Sequence, residues 1–166
     1  MSTYIELKTY FNQKISELSD IYEPSEAQSV VFIWLNERLS VGKTDVLLNK
    51  KVMISDSTLA LLAADMDLLC RFTPIQYVLE KAFFFEMPFY VNDSVLIPRP
   101  ETEELVYKIL NLHEKEALNV LDIGTGSGCI PIVLKTKRPS WDITGWDIST
   151  KAIEVAEKNA LYHQAN

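Results

Sequence analysis

Residues 121–130 read LDIGTGSGCI, which places Gly124, Gly126 and Gly128 within five positions of a 166-residue chain whose other glycines are Gly42 and Gly145. Glycine inside a strand or helix costs about 0.5–1 kcal/mol relative to alanine, so three together demand a geometric reason: a turn, a close-packing corner, or a surface against which a ligand lies. The five residues before them, NVLDI at 119–123, form a short, nearly continuous apolar run suited to a strand buried on both faces. After them CIPIVLKTKR fits a helix and DITGWDI, at 142–148, a second strand. STKAIEVAEKNALYHQ then fits another helix, capped by Ser149 or Thr150, with Ile153, Val155, Ala156 and Ala160 as packing positions. The order β-α-β-α predicts the start of a doubly wound α/β sheet.

Upstream the pattern differs. Residues 3–80 contain a single glycine and read as helical, the first helix burying Tyr4, Leu7, Phe11, Ile15 and Leu18 at three- and four-residue spacing. A second helix is expected after Pro24, with Ser25 and Gln28 spaced as a capping box and Val30, Val31, Ile33, Trp34 and Leu35 turned inward. A short third helix fits Thr44 to Asn49, and a fourth opens near Asp56 or Ser57 and runs through Leu62, Met66 and Leu69. The aromatic stretch AFFFEMPFYVNDSVLI, broken by Pro88 and by Asn92-Asp93-Ser94, reads as a hairpin. Pro98 and Pro100 then force an extended segment before a helix that opens with Glu101, Glu103 and Glu104. The expected organisation is a helical domain over 1–73, a linker with a β-hairpin over 74–100, and an incomplete α/β domain over 101–166.

Composition excludes several classes. The net charge of −7 is shared between residues 1–90 (−4) and 91–166 (−3), so neither half is a basic module of the kind that neutralises phosphates. The local trio Lys135, Lys137 and Arg138 reads as a helix end, where cations suit the dipole. No apolar run approaches the 18 or more residues of a membrane span, and the N-terminus lacks a signal-peptide layout, so the expected compartment is the cytoplasm. Cys70 and Cys129, both expected as buried fillers, and the two histidines, His113 and His163, offer no metal-ligand spacing.

A glycine turn between a strand and a helix N-terminus is expected to place main-chain N–H groups at the mouth of a crevice, where a ligand can lie against the backbone. Asp147, 19 residues beyond Gly128 and at the end of the second strand, is placed to accept both hydroxyls of a ribose; the alternatives are an exposed strand-end aspartate or a helix cap competing with Ser149. GTGSG lacks the third glycine of the dinucleotide fingerprint, and no Gly-Lys-Ser/Thr follows as in a P-loop. Asp122 beside the turn suits a ligand carrying an ammonium and repels a pyrophosphate, or else it serves loop amides.

VLDIGTGSG followed by WDIS resembles the S-adenosylmethionine-binding motif of class I methyltransferases. Joined to PIQYVLEKAFFFEMPFYVND and VLIPRPETEELV, it is similar to the bacterial release-factor glutamine methyltransferases of HemK type. That resemblance implies a helical domain that docks the release factor, a hairpin linker and a Rossmann-like catalytic domain. It further implies methyl transfer to the side-chain amide nitrogen of the glutamine in a Gly-Gly-Gln motif. By the same resemblance Gly124, Thr125, Gly126, Ser127 and Gly128 line the cofactor and Asp147 holds its ribose, with Asp122 close by. Where many relatives carry a glycine after the Gln-Tyr-hydrophobic triplet, this chain has Leu79 and Glu80. The family's Asn-Pro-Pro-Tyr stretch does not occur in these residues, so the sequence is expected to be the first portion of a longer enzyme, inactive alone. A nucleic-acid amino-methyltransferase and a non-catalytic binding module are the other functions compatible with the pattern.

Overall fold

A computed structural model describes residues 2–113 and 117–165. The chain divides into two compact units, one ending at Leu79 and the other beginning at Glu80.

The first unit is not wholly helical. Ser2–Glu6 is a strand, β1, followed by α1 (Leu7–Leu18), α2 (Pro24–Leu39), α3 (Lys43–Leu47), a second strand β2 (Lys51–Ser55), α4 (Asp56–Leu69) and α5 (Ile75–Val78). β1 and β2 pair antiparallel with Ile5 opposite Val52 and Tyr4 opposite Met53. The pairing corrects the expectation of a helix through Tyr4: that ring is 70% exposed, and the first buried residue of α1 is Leu7. Period-2 alternation in Thr3-Tyr4-Ile5 and Val52-Met53-Ile54 keeps Ile54 inside while Met53 faces out. α2 opens on Pro24 without the Ser25–Gln28 box, because proline's fixed φ and missing N–H already suit the first turn. Ala27 rather than Ile33 completes its buried face. Ser55 caps α4, accepting from the Thr58 N–H at 3.1 Å.

The helices close over Leu7, Leu18, Val31, Trp34, Leu35, Leu62 and Leu69, all fully buried, and Ile75 and Val78 pack into the same core. A charge lies inside it. Asp65, 3% exposed, accepts from Trp34 Nε1 (2.8 Å) and from Arg38 Nε (2.7 Å) and Nη2 (3.1 Å), while Arg38 Nη2 also donates to the Val78 carbonyl at 2.9 Å. These bonds tie α2, α4 and α5 together. A buried ion pair stabilises little against an apolar substitute, but losing one partner strands the other.

The second unit begins with a hairpin, β3 (Lys81–Phe84) and β4 (Met87–Tyr90), followed by α6 (Pro100–Leu112), β5 (Asn119–Ile123), α7 (Cys129–Lys137), β6 (Asp142–Trp146) and α8 (Thr150–His163). The hairpin reverses at Phe85-Glu86, not at Asn92-Asp93-Ser94. Both turn residues are left-handed, at φ +54° and +62°, a shape usually given to Asn-Gly. The Phe85 N–H is held by Glu103 Oε1 of α6 at 2.9 Å. Asn92 instead makes a local turn, its Oδ1 accepting from the Ser94 N–H at 3.0 Å. Pro88 is tolerated in β4 because a two-residue turn puts the Phe83–Pro88 pair at a non-hydrogen-bonded position, with the proline nitrogen facing away from β3.

β5 and β6 run parallel, Asn119 opposite Asp142 through Ile123 opposite Trp146, with α7 between them in sequence. Val120 and Ile143 pack onto a core of Phe84, Phe89, Val106, Val133, Leu134 and Trp141. The opposite face carries Leu121 (60% exposed), Ile123 (69%) and Trp146 (53%), so among the described residues β5 is covered on one side, not on both as its apolar run suggests. Cys129 is buried as expected, but Cys70 is exposed at the end of α4.

Replacing Asp65 with alanine should lower the unfolding free energy by about 3 kcal/mol, as loss of one member of a buried pair does. The measurement is a shift in urea midpoint at unchanged slope. A change below about 0.5 kcal/mol, typical of surface substitutions, would contradict a role for Asp65 in the core.

Candidate cofactor site

The segment 124–128 is held through its main-chain groups. The Gly124 and Thr125 N–H groups both donate to the Trp146 carbonyl, at 2.8 and 3.0 Å, so the turn continues the β5–β6 ladder past the strand ends. The Gly128 N–H donates to the Thr125 carbonyl at 2.9 Å, and the Gly126 N–H to Asp147 Oδ2 at 2.9 Å. Four of the five amides that sequence places at a crevice mouth are therefore already hydrogen-bonded within the protein, and the Ser127 N–H stands outside this network. A turn so arranged is no cradle for phosphate, which needs several N–H groups converging on one point.

The three glycines divide by role. All have positive φ, +82° at Gly124, +55° at Gly126 and +76° at Gly128. A Cβ added to Gly124 or Gly126 would meet nothing within 4 Å, so their outer surface is open to a ligand. A Cβ on Gly128 would lie 3.0 Å from Ile132 Cδ1 and 3.2 Å from Ala156 Cβ. Gly128 is thus a close-packing corner, one of the three reasons expected for these glycines, here between the start of α7 and α8. Gly145 admits the Thr125 hydroxyl, which would sit 2.9 Å from a Cβ at that position. Thr125 and Ser127 are buried, 6% and 2% exposed, and Thr125 Oγ1 has no hydrogen-bond partner.

Asp147 lies one residue past β6 and turns toward the glycine segment. Besides Gly126, it accepts from the Ser149 N–H through Oδ1 at 2.9 Å. Ser149, not Asp147, caps α8, its Oγ accepting from the Ala152 N–H at 3.3 Å. The Ser149 amide, followed by that of Gly126, holds the Asp147 carboxyl below the usual carboxylate range. The group is therefore an anion at neutral pH, fixed by one bond on each oxygen and with a lone pair left on each.

Asp122 stands opposite Gly145 in the ladder, on the strand face shared with Val120. Its Oδ2 is buried without a hydrogen-bond partner. Burial pushes the Cys129 thiol up, and the nearby Asp122 charge adds to the shift. Arg99 precedes α6 and Glu101 lies in its first turn, both exposed; of that stretch it is Glu103 that reaches the hairpin. Two of the basic trio are engaged at the end of α7: Lys135 donates to the Trp141 carbonyl (2.9 Å) and Arg138 to that of Leu110 (3.1 Å). Among the described residues no His, Cys, Asp and Glu cluster could hold a metal, and no helix is long and apolar enough to cross a membrane.

One residue absent from the sequence-level reading joins these parts. Asn159 of α8, 1% exposed, accepts from the Tyr90 N–H (2.7 Å) and donates to the carbonyls of Tyr90 and Ser127, both at 2.9 Å. Its signal was present: with Ala152 and Val155 it occupies one helical face, where an amide among small apolar residues must find partners. One turn on, His163 Nε2 donates to the Pro88 carbonyl at 2.7 Å, and its ring lies 4.9 Å from that of Phe89.

Residues 103–166 match the methyltransferase small domain family. Over 96% of its length the chain is 37% identical to a release factor glutamine methyltransferase of Flavobacterium psychrophilum, covering 58% of that protein. It is 40% identical to the protein of that name from Lactococcus lactis over 89% of this chain and 53% of the relative. With a third, from Leptospira interrogans, identity reaches 53% over 53% of this chain and 32% of the relative. The chain spans about half the length of the curated relatives it matches along most of its own. Those alignments run through both compact units, so along most of its own length the chain is similar to release factor glutamine methyltransferases.

Proposed function

We propose that this chain serves S-adenosylmethionine-dependent N5-methylation of the glutamine in the Gly-Gly-Gln motif of peptide chain release factors. In this reading residues 101–166 carry the opening β-α-β-α of a Rossmann-like class I methyltransferase domain, residues 74–100 link, and residues 1–73 dock the protein substrate. The names of the relatives support the substrate, and the methyltransferase small domain supports the chemistry. The observation that carries the cofactor assignment is the anchored carboxylate of Asp147 beside the open outer surface of Gly124 and Gly126.

The donor set fits a nucleoside better than a nucleotide. With four of its five amides already engaged the segment 124–128 offers no anion cradle, and the Asp147 carboxylate fixed beside it is negative. Such a pair suits hydroxyls and a cationic group. When bound, S-adenosylmethionine supplies an electrophilic methyl on a sulfonium sulfur. Asp147 would accept the ribose hydroxyls through its remaining lone pairs, Gly124 and Gly126 would admit the nucleoside against bare backbone, and Asp122 would contribute negative charge near the cationic end. The engagement of Lys135 and Arg138 with carbonyls leaves little to favour a nucleic-acid substrate.

S-adenosylhomocysteine, titrated calorimetrically, is expected to bind, with Asp147→Ala weakening it by about tenfold or more, the loss of charge-assisted bonds to two hydroxyls. Equal affinity in the variant would refute the assignment. Because the folded-state carboxyl titrates below the ordinary range, binding should be unchanged between neutral pH and about pH 5. The stabilisation Asp147 gives the turn is fully present above its unfolded value and lost only as the pH falls through the lower folded one. The glycines should separate. Gly128→Ala is expected to destabilise the fold by about 1–3 kcal/mol through overpacking, seen in urea unfolding. Gly126→Ala should cost only about 1 kcal/mol of backbone strain yet lose most of the affinity; the reverse ranking would contradict the division of roles.

A further inference from the structure

Asn159 makes bonds that belong to two different structures. A two-residue hairpin turn leaves the main-chain groups of Pro88 and Tyr90 on the outer edge of β4, pointing away from β3. An exposed edge of this kind is ordinarily paired or covered. Here α8 covers it with side chains: Asn159 takes both the N–H and the C=O of Tyr90, as a neighbouring strand would, and His163 takes the Pro88 carbonyl. The second amide hydrogen of Asn159 goes elsewhere, to the carbonyl of Ser127 between Gly126 and Gly128. One N–H donor and two carbonyl acceptors around it fix the orientation of the amide, since a flipped group would oppose donor to donor and acceptor to acceptor.

The Ser127 bond is the part that edge covering does not explain. Its neighbours Gly126 and Gly128 are both left-handed, and the other ties of the segment run to itself, to Trp146, to Asp147 and, through the Gly128 carbonyl, to the Ile132 N–H of α7. Asn159 adds a tie from α8, three residues past Ala156, whose Cβ bears on Gly128. An amide is the side chain that serves here. Aspartate would keep the acceptor for Tyr90 but set a charge against two carbonyls, and leucine would leave three buried polar groups unsatisfied.

We propose that Asn159 is a positioning residue that locks the glycine turn to the hairpin and so holds the turn in its ligand-accepting shape. Its consequence for binding rests on the reading that the turn holds S-adenosylmethionine. Neither the family match nor the relatives' names assign this residue a part. His163 supplies the contrast, because it secures the same strand through its bond to Pro88 and its ring contact with Phe89, and also meets the Tyr162 ring.

The test compares the unaltered chain with Asn159→Leu, Asn159→Asp and His163→Ala. Two quantities are read: amide hydrogen exchange of residues 124–130 without ligand, and affinity for S-adenosylhomocysteine. Both Asn159 variants should speed exchange in the turn and weaken binding by about tenfold, the effect of one lost buried hydrogen bond. Asn159→Asp, which keeps one Tyr90 bond, serves should the leucine variant fail to fold. His163→Ala should lower the melting temperature while leaving turn exchange and affinity within about twofold. Turn exchange unchanged in both Asn159 variants, or raised equally by His163→Ala, would overturn the proposal. Absence of binding by the unaltered chain would instead overturn the cofactor reading, and the exchange contrast would still decide whether Asn159 locks the turn.

Discussion

The second unit depends on one constraint, the satisfaction of main-chain groups where two parallel strands end. Past Ile123 and Trp146 the ladder has no further strand residues, yet Gly124 and Thr125 continue it by sharing the Trp146 carbonyl, and Asp147 takes the next amide, that of Gly126. Only a backbone able to enter the left-handed region can follow this path, which is why glycine recurs at alternate positions. The same bonds that shape the turn orient the carboxylate. Structure and proposed cofactor recognition therefore share their atoms, and Asp147 is fixed before any ligand arrives, an arrangement that lowers the entropic cost of binding.

The helix α8 extends this logic from main chain to side chains. Ala156 accepts the close approach of Gly128, Asn159 takes the Ser127 carbonyl and both groups of Tyr90, and His163 takes the Pro88 carbonyl. A hairpin of two four-residue strands is marginal alone. Packed by Phe84 and Phe89 and closed along its edge by α8, it becomes part of the unit that bears the glycine turn. Glu103 holds the other end of the same hairpin through the Phe85 amide, where two bulky residues take up the left-handed turn without glycine.

How much of this is legible in sequence depends on the range of the interaction. The order strand, turn, helix, strand, helix from Asn119 onward can be read because its signals are local: β-branched runs, glycine punctuation and Ser149 as a cap. The β1–β2 pair is not legible, because Tyr4, Leu7 and Phe11 satisfy helical spacing while the partner strand lies more than forty residues away. The hairpin turn is hidden for the opposite reason, since Phe85-Glu86 carries no turn chemistry and is imposed by Glu103 and the aromatic core. Asp147 and the glycines stand out by type and spacing. The engagement of the amides does not, because it depends on the Trp146 carbonyl across the sheet and on Asp147. Asn159 stands at an apolar-face position in a helix, but its partners are 32 and 69 residues away.

The central claim is that the surface between Gly124, Gly126 and Asp147 receives the nucleoside of the methyl donor. Amide chemical-shift mapping during titration with S-adenosylhomocysteine tests it most directly. The account predicts the largest shifts at residues 124–128 and 147–149, with residues 7–69 of the first unit unmoved. Shifts that avoid the glycine turn and gather elsewhere would contradict it.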